Sequence, residues 1–256
     1  MIRRLLRALL AGMLALLGNS HAAAALPETI ERIKPSVVVV GTFNKLRSPQ
    51  FVMRGTGFAV GDGSLIATNA HVINRPERGD AQDILMVLTR NGGEVRPREV
   101  RLLASDAEHD LAVLRLAGPP LPALTLRVSD SVREGQAIAF TGFPIGGALG
   151  FSPVTHRGVI ASITPIVLPG GNAGELRDKS IRRLRSGAFH IFQLDATAYP
   201  GNSGGPLYDA ESGEVLGVIN MVFVKATKEA ILEKPSGISY AIPAGFLIEL
   251  LDKIKP

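Results

Sequence analysis

Apolar residues in this chain come in short runs cut by glycine, proline and asparagine. The runs are "SVVVVGTF", "GTGFAVGDGSLIATN", "DILMVLTRNGGEV", "LAVLRLAG", "QAIAFTGFP", "RGVIASITPI", "FHIFQLDA", "GEVLGVINMVF" and "GISYAIP", spread between Val37 and Pro243. Their length, β-branched content and spacing predict many short antiparallel strands, because a helix of ordinary length needs a longer 3.6-residue period without glycine. The expected class is therefore all-β, a barrel or a sandwich.

Two stretches depart from this pattern. "AGFLIELLDKIK", after Pro243, spaces Phe246, Leu247, Leu250, Leu251 and Ile254 at helical intervals, predicting one C-terminal amphipathic helix packed on the second half. "LPETIERIKPS" predicts a short helix before the first strand. The best internal boundary is "AGPPLPALTLRVSDSV", residues 117–132, where prolines remove ladder donors. It divides the expected mature chain into residues 26–125 and 126–256. The least regular stretch, residues 164–189, carries Gly170, Gly171 and Gly174 and then Arg177, Lys179, Arg182, Arg183 and Arg185. It reads as a solvated surface loop, with a local polyanion or partner patch as the other reading.

The N-terminus changes the charge picture. Arg3, Arg4 and Arg7 precede an apolar run from Ala8 to Leu17 and a small-residue end, the layout of a secretory signal peptide over residues 1–25. The run is too short for the roughly 20 residues that span a bilayer. Export to the periplasm or medium is the expectation, with an uncleaved anchor as the competing one. This segment holds three arginines and no acid, so the formal charge of +5 falls to +2 without it. Such balance gives no reason to expect nucleic acid or a membrane surface as partner. With no cysteine in the chain, disulfides and thiolate metal sites are excluded. No cofactor or metal is expected.

The candidate chemistry centres on "AYPGNSGGPLYD", residues 198–209. A serine hydroxyl is a weak nucleophile at neutral pH and needs a base, a group to orient that base, and donors for the oxyanion. The glycines around Ser203 let the backbone turn sharply and leave room for a substrate carbonyl. The amides of Gly201 and Ser203 are the candidate oxyanion donors. Of five histidines, His21 falls in the signal segment, and His109, His156 and His190 read as surface or structural residues. His71 stands in "TNAH", at the end of a strand beside a small Ala70; alone it too admits a structural reading. Asp110 opens the apolar run "DLAVLRL", where a carboxylate must find a hydrogen-bond partner; turn capping is its plain reading, and Asp106 competes with it. The order His71, Asp110, Ser203 across an all-β chain is what joins three weak signals.

"TNAHV", "DLAVL" and "GNSGGPL" together resemble the three catalytic segments of chymotrypsin-fold serine proteases, and within them the HtrA (Deg) branch. "RGTGFAV", "FTGFPIG", "RGVIAS", "QLDATAYPGNSGG" and "GISYAIP" resemble further segments of that branch, in order, over roughly residues 28–250. The resemblance implies two six-stranded Greek-key barrels with the site in the cleft between them. It implies a serine endopeptidase in which Ser203 attacks, His71 acts as base and then acid, Asp110 orients His71, and Gly201 and Ser203 hold the oxyanion. Protein or peptide is then the substrate, and a homo-oligomer stays open. Substrate-binding candidates are Tyr199, Ile219, Ser239 and Tyr240, lining a modest apolar pocket, although Asp195 lies eight residues before Ser203.

Departures from the pattern bear on regulation. Digestive relatives carry Asp before the serine, ion-paired to a new N-terminus after cleavage, and Asn202 stands there instead. Activation by that route is not expected. Only a short helix follows Pro243, so delivery of substrate by a PDZ domain is not expected either. Phe143 occupies a position that is more often Asn in the branch, beside the oxyanion donors. A rival reading keeps the fold but makes it a catalytically silent peptide-binding module. An α/β-hydrolase is excluded because acid and histidine do not follow the serine in order, and no strand-helix alternation surrounds it.

Overall fold

The computed structural model describes residues 26–73, 83–92, 94–147, 151–165, 189–220 and 238–254. The expected signal segment and nearly all of the basic stretch lie outside the described residues. The described residues include twelve strands, three α-helices and three short 3-10 helices. Helix α1 (Leu26–Ile33) precedes strands β1 (Val37–Phe43), β2 (Phe51–Val60) and β3 (Leu65–Thr68), and the one-turn helix α2 (Ala70–Ile73) follows. Next come β4 (Ile84–Asn91), β5 (Glu94–Asp106) and β6 (Leu111–Leu116). The second half holds β7 (Ala137–Gly142), β8 (Val154–Pro165), β9 (His190–Asp195), β10 (Pro206–Asp209), β11 (Val215–Asn220), β12 (Ile238–Pro243) and helix α3 (Ala244–Asp252).

All ladders between these strands are antiparallel, and they close into two six-stranded barrels, β1-β2-β3-β6-β5-β4 and β10-β11-β12-β9-β8-β7. Closure removes the sheet edges that would otherwise template aggregation. The expected all-β class is met. Two strands are longer than the sequence runs suggest, β5 with 13 residues and β8 with 12. Each carries a register shift, at Leu102/Ala104 and Ile160/Ser162, and such bulges bend a long strand around a barrel corner.

The continuous apolar runs have a tertiary cause. In β1, Val38 and Val40 point into the first barrel, while Val37 and Val39 join a cluster shared with Phe143, Tyr208, Val218 and Ile242 of the second. Strand β6 repeats this, with Leu114 and Leu116 inside its barrel and Leu111 and Val113 on the shared face. Both faces of such a strand are buried, so alternation of polar and apolar residues disappears. Three apolar cores result: one in each barrel and one between them. Helix α3 seals the shared core with Leu247, Leu250 and Leu251. It also reaches the first barrel, because Phe246 stacks on His109 with ring centroids 3.9 Å apart, which widens its expected seat on the second half alone.

Candidate active site

Strand β3 ends at Thr68, and α2 places His71 one turn later. The β5–β6 turn brings Asp110 to the same point. This turn is tied by Asp106, whose carboxylate accepts from the amides of Glu108 (3.0 Å) and His109 (3.1 Å) and contacts the His109 ring (2.7 Å). Burial would raise the Asp106 carboxyl, but the bonds from His109 outweigh it and hold it below the usual carboxylate range. Asp106 is thereby committed to His109 and does not compete for His71. Asp110 follows with φ of 54°, a left-handed conformation that Asp tolerates better than most residues.

That conformation points both ends of Asp110 at α2. Its backbone carbonyl accepts from the Ala70 amide (3.1 Å) and the Asn69 side chain (3.0 Å). Its Oδ1 accepts from the His71 amide at 2.8 Å, and its Oδ2 lies 2.5 Å from His71 Nδ1. A carboxylate only accepts, so Nδ1 carries the proton and Nε2 of the neutral ring keeps its lone pair. A residue whose role the sequence reasoning missed completes the carboxylate: Asn220, at the end of β11, donates from Nδ2 to Asp110 Oδ2 at 2.7 Å. The bond runs from the second barrel to the first, and nothing local in "LGVIN" announces it.

Thr56, buried in β2, ties the Ser203 segment to this constellation. Its amide donates to the Ser203 carbonyl (2.8 Å), and its hydroxyl donates to the Gly201 carbonyl (2.7 Å) and accepts from the Phe143 amide (3.1 Å). The Thr56 carbonyl in turn accepts from the Thr68 hydroxyl at 2.7 Å, two residues before α2. The sequence signal was "RGTGFAV", whose glycines let this contact form. A Cβ at Gly55 would sit 2.8 Å from the Ser203 carbonyl oxygen and 2.7 Å from Val72, the neighbour of His71.

Around Ser203 the backbone donors divide. The amides of Asn202, Gly204 and Gly205 donate inward, to the carbonyls of Tyr199 (3.0 Å), Ile219 (2.9 Å) and Asn202 (2.9 Å). The Pro200 carbonyl accepts from the Ile145 amide at 2.7 Å. In a trans peptide the N–H lies opposite the C=O, so this bond turns the Gly201 N–H away from Ile145. Gly201 has φ of 104°, and a Cβ there would lie 2.2 Å from the Phe143 carbonyl oxygen, so only glycine fits. Phe143 itself is buried in the shared core and contributes its backbone.

The substrate-binding candidates separate in the structure. Tyr199 is half-buried on the turn before Ser203, and Tyr240 packs against the shared core. Ile219 is fully buried among Phe140, Leu194 and Leu216, so it meets the serine loop through its backbone only. Ser239 is also buried, its hydroxyl donating to Ala196 O (2.8 Å) and accepting from the Ala198 amide (2.8 Å). It clamps the approach to the serine. Asp195 is exposed, at the end of β9. His156 is structural: it lies in β8 opposite Phe140 in β7, beside Tyr199 and Asn202 on the turn before Ser203.

Two closed antiparallel barrels with a His–Asp pair and a glycine-bounded serine held at their junction define a trypsin-like peptidase domain. The family of that description matches residues 55–218, and the chain belongs to it. Among its relatives is a probable periplasmic serine endoprotease, DegP-like, of Halomonas elongata, 29% identical over 201 residues, covering 78% of this chain and 35% of the relative. Serine protease HTRA3 of Rattus norvegicus is 30% identical over 236 residues, covering 88% of this chain and 44% of the relative. The chain thus spans less than half the length of either. Among solved structures, the HtrA-type protease AlgW with a tripeptide aligns with TM-score 0.63 and 25% identity, over 90% of this chain and 64% of that one. The serine endoprotease from Yersinia pestis aligns with TM-score 0.63 and 26% identity, over 90% of this chain and 66% of that one.

Proposed function

We propose that this chain is a serine endopeptidase that hydrolyses peptide bonds in proteins through an acyl-enzyme on Ser203. In this reading His71 Nε2 takes the Ser203 proton as the hydroxyl attacks the carbonyl, then returns it to the leaving amine. Asp110 holds the ring through Nδ1 and stabilises the imidazolium that forms. The Gly201 and Ser203 amides face the developing oxyanion, where preorganised donors act most strongly. Water then repeats the sequence in reverse on the acyl-enzyme.

The observation that carries this reading is the 2.5 Å contact of His71 Nδ1 with Asp110 Oδ2, in a site that Thr56 bonds directly to the Ser203 backbone. A silent binding module would need none of the carboxylate bonds from His71 and Asn220. A fluorophosphonate probe should label the native protein stoichiometrically, with the adduct on Ser203 in peptide mapping, and should fail after heat unfolding. Absence of label from folded protein that binds casein without cutting it would favour the binding module.

Asn220 provides a second check. Asn220→Leu removes the donor to Asp110 Oδ2, a bond to a charged group worth about 1.5–3 kcal/mol. The expected loss is about 10- to 100-fold in kcat with KM little changed, since His71 orientation matters most in the transition state. Steady-state kinetics on a fluorogenic peptide reads this directly.

Action outside the cytoplasm fits the same reading. The Halomonas relative is described as periplasmic, and no helix among the described residues is long and apolar enough to cross a membrane. The N-terminal segment of residues 1–25 would then direct export.

A further inference from the structure

Asn202 is fully buried directly before Ser203, yet its carboxamide is poorly satisfied. Its Oδ1 has no hydrogen-bond partner among the described residues and lies over Gly142, where a Cβ would sit 2.8 Å away. On the other side its Nδ2 lies 3.5 Å from His156 Nε2. The His156 ring is stacked on Phe140, with centroids 4.8 Å apart and planes inclined by 18°, and lies 5.9 Å from the Tyr199 ring. One imidazole therefore forms the side wall of the turn whose two ends are Tyr199 and Asn202.

We infer that His156 is a positioning residue for the oxyanion turn, effective only while its ring is neutral, so that one protonation loosens the turn independently of His71. The inference rests on the protease reading for its consequence in catalysis, but its structural part does not.

A neutral ring with its lone pair on Nε2 accepts from Asn202 Nδ2–H, which keeps the carboxamide seated over Gly142. Protonation turns Nε2 into a donor facing a donor. Among the described residues the new charge also meets no carboxylate in an ion pair. Strand β7 offers Phe140 and Thr141, the turn offers Tyr199 and Asn202, and beyond Thr141 and Thr155 stands the Tyr208 phenol of β10. Arg157, next in β8, is a further cation, and among the described residues no ion pair joins His156 to a carboxylate. A charged imidazole in such a place returns to water, and the turn loses its wall.

Burial already pushes the His156 imidazole below its ordinary value. The fold thus binds this proton less readily than the unfolded chain. Its contribution to stability is intact above the unfolded value of about 6.5 and is lost as pH falls through the folded one. Asp106, also held low, acts in the same sense but only below the ordinary carboxylate value of 3.8.

The test uses the full chain carrying Ser203→Ala, with or without His156→Phe, which keeps a ring on Phe140 but cannot titrate. Amide exchange of Asn202, Gly204 and Gly205 is measured at pH 7 and in steps below it and corrected for the intrinsic rate. With His156 present, protection should fall by about tenfold as the ring takes its proton, and with His156→Phe it should stay level over the same range. An equal fall in both proteins overturns the inference, whatever the activity. In the active chain, the acid limb of kcat/KM should be steeper than in His156→Phe. At pH 8, His156→Phe should lower kcat by about tenfold without changing KM, and His156→Gln, which restores an acceptor, should recover most of it. Unchanged kcat and an unchanged acid limb in His156→Phe would also overturn it. A native chain that takes no fluorophosphonate label, but shows the exchange difference, would remove the protease reading and leave the positioning role standing.

Discussion

Ser203→Ala is expected to lower kcat by about a millionfold while leaving the fold intact. In the proposed mechanism the substitution deletes covalent catalysis, and His71 and Asp110 then have no hydroxyl to act on. What would survive is the residual effect of binding and of the proposed oxyanion amides, because a triad acts as a unit. The hydroxyl is not what holds the turn together: Thr56 grips the Ser203 carbonyl and the Gly201 carbonyl, and both bonds remain in the alanine variant. Thermal unfolding within about 2 °C of the wild type, a shift corresponding to less than about 1 kcal/mol, alongside abolished peptide hydrolysis, is the expected pair of results. Hydrolysis retained above about one percent of wild type would remove Ser203 from the mechanism.

Gly204→Ala should act in the opposite way, on the fold first. Gly204 has φ of 85°, and a Cβ would lie 2.1 Å from the Thr56 carbonyl oxygen and 2.3 Å from the Thr68 hydroxyl oxygen. One obstacle is backbone and cannot move aside, and an L-residue is strained at that φ even in open space. Either β2 separates from the serine loop, or the loop leaves its inward bonds to Ile219 and Asn202. A loss of about 3–5 kcal/mol is expected, which for a chain of this size lowers Tm by about 10 °C. Scanning calorimetry reads it. A Tm unchanged within error would mean that the close approach of β2 to Gly204 is absent in solution. Activity should fall with stability, because the same displacement moves Ser203 away from His71.

Much of the fold was legible because a strand signal is local. Runs such as "SVVVV" and "LAVLRL" became β1 and β6, and the helical spacing after Pro243 became α3. The same runs hid which face points where. Val37 and Val38 look alike in sequence, yet one packs between the barrels and the other inside its own. His156 shows the limit from the other side: a histidine in "VTHRG" reads as a surface or structural residue, and only the pairing of β8 with β7 places it against Asn202.

By itself the sequence determined the all-β class, the punctuation between strands, the glycines that a sharp turn at Ser203 requires, and the order His71, Asp110, Ser203. These rest on backbone preference and on residue type, which neighbours in the chain suffice to express. Only the tertiary structure decided that Asp110 rather than Asp106 meets His71, that Asn220 completes the carboxylate from the other barrel, and that Thr56 bonds the serine turn to β2. Each of those choices is a hydrogen bond, most between residues far apart in the chain, made only once two barrels have closed and packed. A bond of that kind has no local signature, because its partner is supplied by packing.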